Sequence, residues 1–147
     1  MDVTLYQPDI AQNLGASIRL CACLNTPLAV IEPCGFPLSA KGLRRTAMDY
    51  DTELQRYAHW DDYLALKKGR IVLFTTKGAT SLSEFQFEQD DHLLFGRESA
   101  GVPDDVHAAA DARVIIPIAP DMRSFNLATS VAIGLYEALR QVNGLPR

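Results

Sequence analysis

The sequence has no apolar run approaching the roughly 18 residues of a membrane span, and its first residues lack the basic start and apolar stretch of a secretory leader. Both absences predict a cytoplasmic protein with no membrane partner. Cysteine is scarce: Cys21, Cys23 and Cys34 are odd in number and show no C-x-x-C spacing. That speaks against a disulfide framework or a zinc knuckle and for reduced core thiols. Positive charge is not in excess either, because 14 Lys and Arg face 18 Asp and Glu, for a net charge of −4. Any contact with a polyanion must therefore be local. The glycine patterns of dinucleotide and nucleoside-triphosphate loops are missing, and Ser99 sits one residue off a nucleophile elbow. His59, His92 and His107 are not spaced as a metal or catalytic set, so they read as structural or exposed and no metal is expected.

What is present fits one soluble domain spanning residues 1–147, since 48% of the residues are apolar and 22% charged. Val3–Tyr6 is a β-branched and aromatic run stopped by Pro8 and predicts a first strand. From Asn13 to Leu24, Leu14, Ile18, Cys21 and Leu24 recur at helical spacing, with Ala16, Leu20 and Cys23 forming a second apolar side. Leu28–Ile31 is continuously apolar, as in a strand covered on both faces of a parallel sheet. A Ser-capped helix over Ser39–Met48, a strand over Leu54–Ala58 and a helix over Asp61–Lys68 follow, the last with acids first and lysines last. Strands are then predicted over Ile71–Thr75, His92–Phe95 and Val114–Ile118, and a final helix over Asn126–Val142. That helix has a main apolar face running from Leu127 to Val142 and a second carrying Ile133 and Tyr136. Strands alternating with helices give the α/β class, with a mostly parallel sheet flanked by helices.

Ligands of such sheets bind where the loops at the carboxyl ends of the strands converge. Three loops there are rich in Gly, Pro, Ser or Asp: Thr75–Gly78, Gly96–Pro103 and Ala119–Ser124. Ser124 or Asn126 can cap the final helix. The densest basic segment is Lys41, Arg44 and Arg45.

Three patterns occur in order: Asn13-x-Gly15-x-x-x-Arg19, Phe95-Gly96-x-Glu98-x-x-Gly101-x-Pro103, and Ile116-Pro117-x-x-x-Asp121-x-Arg123-Ser124-x-Asn126-Leu127. Together they resemble the three motifs of the SPOUT superfamily of methyltransferases, in its small TrmH-like branch. Ile31-Glu32-Pro33-x-Gly35-Phe36 and Leu43-Arg44-Arg45 before Asp49-Tyr50 resemble the subfamily that methylates the wobble nucleotide of certain tRNAs. Arg97, Ser99, Phe125 and Ala128–Ser130 are the departures, at positions where relatives carry other residues.

The resemblance implies a C-terminal trefoil knot, which no periodicity could reveal. It implies S-adenosyl-L-methionine as cofactor, held by Phe74, Gly96, Ile116 and Ser124 with Ile118 and Asn126 as neighbours. The implied reaction is 2′-O-methylation of the ribose of nucleotide 34 in a tRNA anticodon stem-loop. Arg19 is the expected catalytic residue, and Asn13, Arg44, Arg45 and Arg123 are expected on the RNA. Stripped of its motif, Arg19 would be a surface or salt-bridged helix residue. One small acidic subunit offers little surface for tRNA, so a homodimer is expected, built on the helices with two apolar faces. The alternatives are a ribosomal RNA 2′-O-methyltransferase and a non-catalytic RNA- or nucleotide-binding module.

Overall fold

A computed structural model describes residues 1–39, 54–77 and 80–147. The elements run β1 (Asp2–Tyr6), α1 (Ala11–Cys23), β2 (Leu28–Ile31), β3 (Leu54–Tyr57), α2 (Trp60–Leu66), β4 (Ile71–Phe74), β5 (Thr80–Ser81), β6 (His92–Phe95), α3 (Asp104–Ala109), β7 (Ala112–Ile115) and α4 (Leu127–Gln141). The strands form one seven-stranded sheet in the order β3-β2-β1-β6-β4-β7-β5, and every pairing between them is parallel. The expected α/β class and parallel sheet are both present. The predicted helix over Ser39–Met48 lies outside the described residues, apart from Ser39.

Alternation along the strands divides the core into two layers. Val3, Leu5, Val72, Phe74, Leu93 and Phe95 point to the side packed by α1 and α4, where Leu14, Ile18, Val131 and Leu135 meet them. Ala29, Ile31, Ile71, Leu73 and Leu94 point to the opposite side, against Tyr63 of α2 and Val106 of α3. Both faces are covered, which is why the strands read as unbroken apolar runs rather than alternating ones.

One expectation needs correction. The strand expected over Val114–Ile118 runs instead from Ala112 to Ile115. Pro117 has no amide to give a ladder, and pairing with Val72–Phe74 places the strand earlier, on Ala112–Val114. The six-residue α3 and two-residue β5 had no counterpart in the sequence reading.

The chain lays down β1, β2 and β3 outward in one direction, then returns to build β4, β7 and β5 on the other side of β6. The direction reverses beside β1 and β6, and a crevice opens there at the carboxyl edge. Register places Leu5 opposite Phe95, Phe95 opposite Phe74 and Phe74 opposite Val114, one row across the sheet beneath that edge. The Phe74 and Phe95 rings stack with centroids 4.5 Å apart.

Candidate active site

A cleft of about 660 Å³ occupies this edge. Its walls are Ile10 and Asn13 after β1, Phe74–Lys77 after β4, Gly96–Val102 after β6, and Ile116, Ile118 and Arg123–Leu127 after β7. All three loops singled out from the sequence contribute to it.

The loop after β6 is a tight turn. Arg97 and Gly101 exchange backbone hydrogen bonds of 3.0 and 2.9 Å. A β-carbon on Gly96 would lie 2.7 Å from the Gly101 carbonyl carbon, and Gly101 has a φ of +63°. Side chains are excluded at the first position and disfavoured at the second, so the backbone itself faces the cleft.

A chain of hydrogen bonds joins the three motif regions. Glu98 accepts from the Asp9 amide at 2.7 Å and from Asn13 Nδ2 at 3.0 Å. Asn126 Nδ2 donates to Asn13 Oδ1 at 2.9 Å, while Asn126 Oδ1 accepts from the Thr129 amide at 3.2 Å and so caps α4. Asp9 in turn accepts from the Ser99 amide at 3.0 Å and the Ser99 hydroxyl at 2.6 Å. These two donors hold its carboxyl below the usual carboxylate range. Arg97 bonds the side chain of Gln7 and lies over the Tyr6 ring, 5.4 Å from its centroid.

Of the residues expected at the site, Phe74, Gly96, Ile116, Ile118, Ser124 and Asn126 line the cleft, as do Asn13 and Arg123. Asn13 is only 6% exposed, and both ends of its amide are engaged within the protein. Its visible work is to tie α1 to the other two motif regions. Arg19 is exposed on α1 and is not among the cleft residues of its own chain. Six residues beyond Asn13, it lies about 120° away from it round the helix axis. Arg44 and Arg45 fall outside the described residues.

Sequence reasoning missed the Asp9–Ser99 pair, the anchoring of Arg97 and the position of His107, which lines the cleft. Phe125, named there only as a departure from the motif, is 38% exposed on the cleft wall. Arg97 and Ser99 were visible as departures from the motif; Asp9 and His107 gave no signal.

The model of the SpoU rRNA Methylase family matches residues 1–136. The chain belongs to that family. Among relatives of the family, a tRNA (cytidine(34)-2′-O)-methyltransferase of Beijerinckia indica is 51% identical over 150 residues, covering 99% of this chain and 94% of the relative. A solved structure concerned with 2-OH methylation of C/U34 on tRNA superposes with a TM-score of 0.90 at 41% identity, over 97% of this chain and 96% of the other. The SpoU methyltransferase AviRb from Streptomyces viridochromogenes, solved with the cofactor AdoMet, gives a TM-score of 0.84 at 25% identity. That alignment covers 99% of this chain and 59% of AviRb.

The cleft suits such a cofactor. Its volume lies within the roughly 300–1,000 Å³ of small-molecule sites. Its walls include Phe74, Val102, Ile116, Ile118 and Leu127, apolar surface for a base, beside a close-approaching backbone at Gly96. At the same site, Arg97 Nε and His107 Nε2 are buried without a hydrogen-bond partner among the described residues. Polar atoms orphaned beside an apolar cleft are what a ligand with several acceptors would satisfy.

Proposed function

We propose that this protein transfers a methyl group from S-adenosyl-L-methionine to the ribose 2′-hydroxyl of nucleotide 34, a cytidine or modified uridine, in the anticodon stem-loop of tRNA. The observation that carries the reading is near-full-length similarity to an enzyme of that name. The cleft built from the matching motif residues supports it.

In this reading Phe74, Gly96, Ile116, Ile118, Ser124 and Asn126 hold the cofactor, which supplies an electrophilic methyl on its sulfonium. The chain must then present the hydroxyl in line with that methyl, and placement of this kind supplies much of the rate. The Ser99–Asp9–Glu98–Asn13–Asn126 chain of hydrogen bonds keeps the three motif regions in fixed relation. Arg123 and Lys77, both exposed beside the cleft, are suited to RNA phosphates. Arg44 and Arg45 are assigned to the RNA on the sequence pattern alone.

Arg19 is the catalytic residue of this proposal. A guanidinium stays charged and only donates, so its work is to hold and polarise the hydroxyl or a neighbouring phosphate, and the hydroxyl proton passes to water or to that phosphate as the methyl is transferred. Its place outside its own chain's cleft fits a homodimer. Leu20 and Leu24 of the α1 region line a shallow apolar groove with Ile116, Pro117, Ala132, Ile133 and Tyr136, the last 54% exposed. Leu20, Ile133 and Tyr136 belong to the second apolar faces noted in the sequence, and a second copy seated there brings Arg19 to the seam between subunits. Among the described residues no helix is long and apolar enough to cross a membrane, consistent with work on tRNA in the cytoplasm.

The test is transfer of a labelled methyl group to total tRNA from a strain lacking the enzyme, mapped by nucleotide, for the wild type and Arg19→Ala. Methylation confined to ribose 34 and lost in the variant is expected, with cofactor binding retained. Transfer to ribosomal RNA instead would overturn the substrate assignment. Absence of cofactor binding would overturn the enzyme reading as a whole.

A further inference from the structure

His107 on α3 is held in a way that decides which of its nitrogens carries the proton. The Arg113 Nε–H of β7 donates to His107 Nδ1 at 3.2 Å and to the His107 carbonyl at 3.1 Å. Arg113 Nη2 reaches the same carbonyl at 2.5 Å and that of Ala108 at 3.5 Å. A guanidinium has no lone pair to offer, so Nδ1 must accept and the ring proton sits on Nε2. The repeated contacts from one arginine to the last turn of α3 fix the ring's position as well as its tautomer.

The Nε2–H group is buried and has no acceptor among the described residues. Burying a donor without a partner is costly, and native proteins seldom leave one unexplained. His107 is also part of the cleft wall, together with the apolar residues Leu73, Val102 and Val114. The cationic residues Lys77 and Arg123 are exposed elsewhere on the same cleft.

We infer that His107 is a cofactor-binding residue whose Nε2–H donates to an acceptor on the adenosyl part of S-adenosylmethionine, a ring nitrogen of the base or a ribose oxygen. The adenosyl part is favoured because an apolar wall with a single neutral donor suits a flat base. The charged methionyl end of the cofactor calls for ionic or multiply donating partners. The inference rests on reading the cleft as a cofactor site. It adds a residue outside the three motifs and gives Arg113 a positioning role, since Arg113 sets the tautomer.

Calorimetric titration with S-adenosylhomocysteine separates the two readings. Wild type should bind, His107→Phe should bind about three- to tenfold more weakly, as for loss of one neutral hydrogen bond. His107→Gln, whose amide can donate from near the place of Nε2, should recover most of the affinity. Nitrogen-15 spectra of the wild type should show Nδ1 as the unprotonated nitrogen, and the Nε2 resonance should move when ligand is added. In turnover, His107→Phe should raise KM for the cofactor with little change in kcat. Equal affinity of wild type and His107→Phe, or a proton found on Nδ1, would overturn the role of His107 while leaving the cofactor site intact. No binding by the wild type would instead remove the reading on which the inference stands.

Discussion

Gly134 lies on the buried face of α4, directly over the Phe74 ring. A β-carbon there would sit 2.6 Å from Phe74 Cε1 and 2.7 Å from Cζ, about 1 Å inside ordinary carbon contact. The ring has little room to retreat. It stacks on Phe95 at 4.5 Å and faces Phe87 at 6.2 Å, with interplanar angles of 13° and 10°. Gly134→Ala therefore sets two effects against each other. Alanine gains about 1 kcal/mol in helix propensity. Overpacking costs about 1–3 kcal/mol, and a ring closed in by neighbours puts this site near the upper end. The expected net destabilisation is about 1–2 kcal/mol, a fall in Tm of roughly 2–8 °C for a chain of this size. Because Phe74 also lines the cleft, cofactor affinity should fall with it. Thermal unfolding and calorimetric binding of S-adenosylhomocysteine measure the two consequences separately. Adding Phe74→Leu should recover part of the stability by trading the clashing ring for a smaller side chain. A Tm equal to or above that of the wild type would refute the reasoning, since it would mean that the ring moves at almost no cost.

Four further outcomes are expected. Asp91 is fully buried and takes two 2.8 Å bonds from Arg70 and another from the Glu88 amide, so Asp91→Asn should lower stability by about 2 kcal/mol. A change below about 0.5 kcal/mol in urea unfolding would show the pair to be dispensable. Glu98→Gln leaves one acceptor where two donors converge and turns an amide toward the other, so stability should drop by about 1–2 kcal/mol and methyl transfer should slow. Unchanged turnover would argue against a positioning role for the hydrogen-bonded chain. Burial pushes the Cys21 thiol up to about 12 and, with the Glu32 charge adding to it, that of Cys34 up to about 11. A thiol reagent at pH 8 should therefore modify exposed Cys23 first, and Cys21 only on unfolding. The unfolded thiols lose their protons above about pH 9 while the folded ones keep them, so stability should decline as pH rises from 9 towards 12. A stability profile flat across that window in the wild type would contradict the sign.

Local pattern and tertiary structure divide the explanation of this protein between them. Leu28–Ile31 and His92–Phe95 were legible to the residue because a strand buried on both faces must be apolar throughout, and polar or turn residues mark its ends. The apolar face of α4 was legible for the same reason, and its cap was narrowed to Ser124 or Asn126, of which the structure uses Asn126, since helical period and capping are properties of a few neighbouring residues. The start of β7 was not legible, because pairing with β4 decides it and no propensity of Ala112 or Arg113 does. At the site, the motif glycines and the order of the loops could be read from the chain. The partners of the site residues could not: Asp9 and Ser99 are 90 residues apart, and Asn13 and Asn126 are 113 apart. His107 shows the limit most plainly. The sequence marks it only as a structural or exposed histidine, while its proton, its burial and its place on the cleft wall follow from Arg113 on the next strand and from the crevice that the strand order opens. The sequence by itself determined the class of fold, the loops that meet at the cleft and the family. Only the folded chain decided which polar atoms are satisfied, because that depends on groups brought together across the sheet.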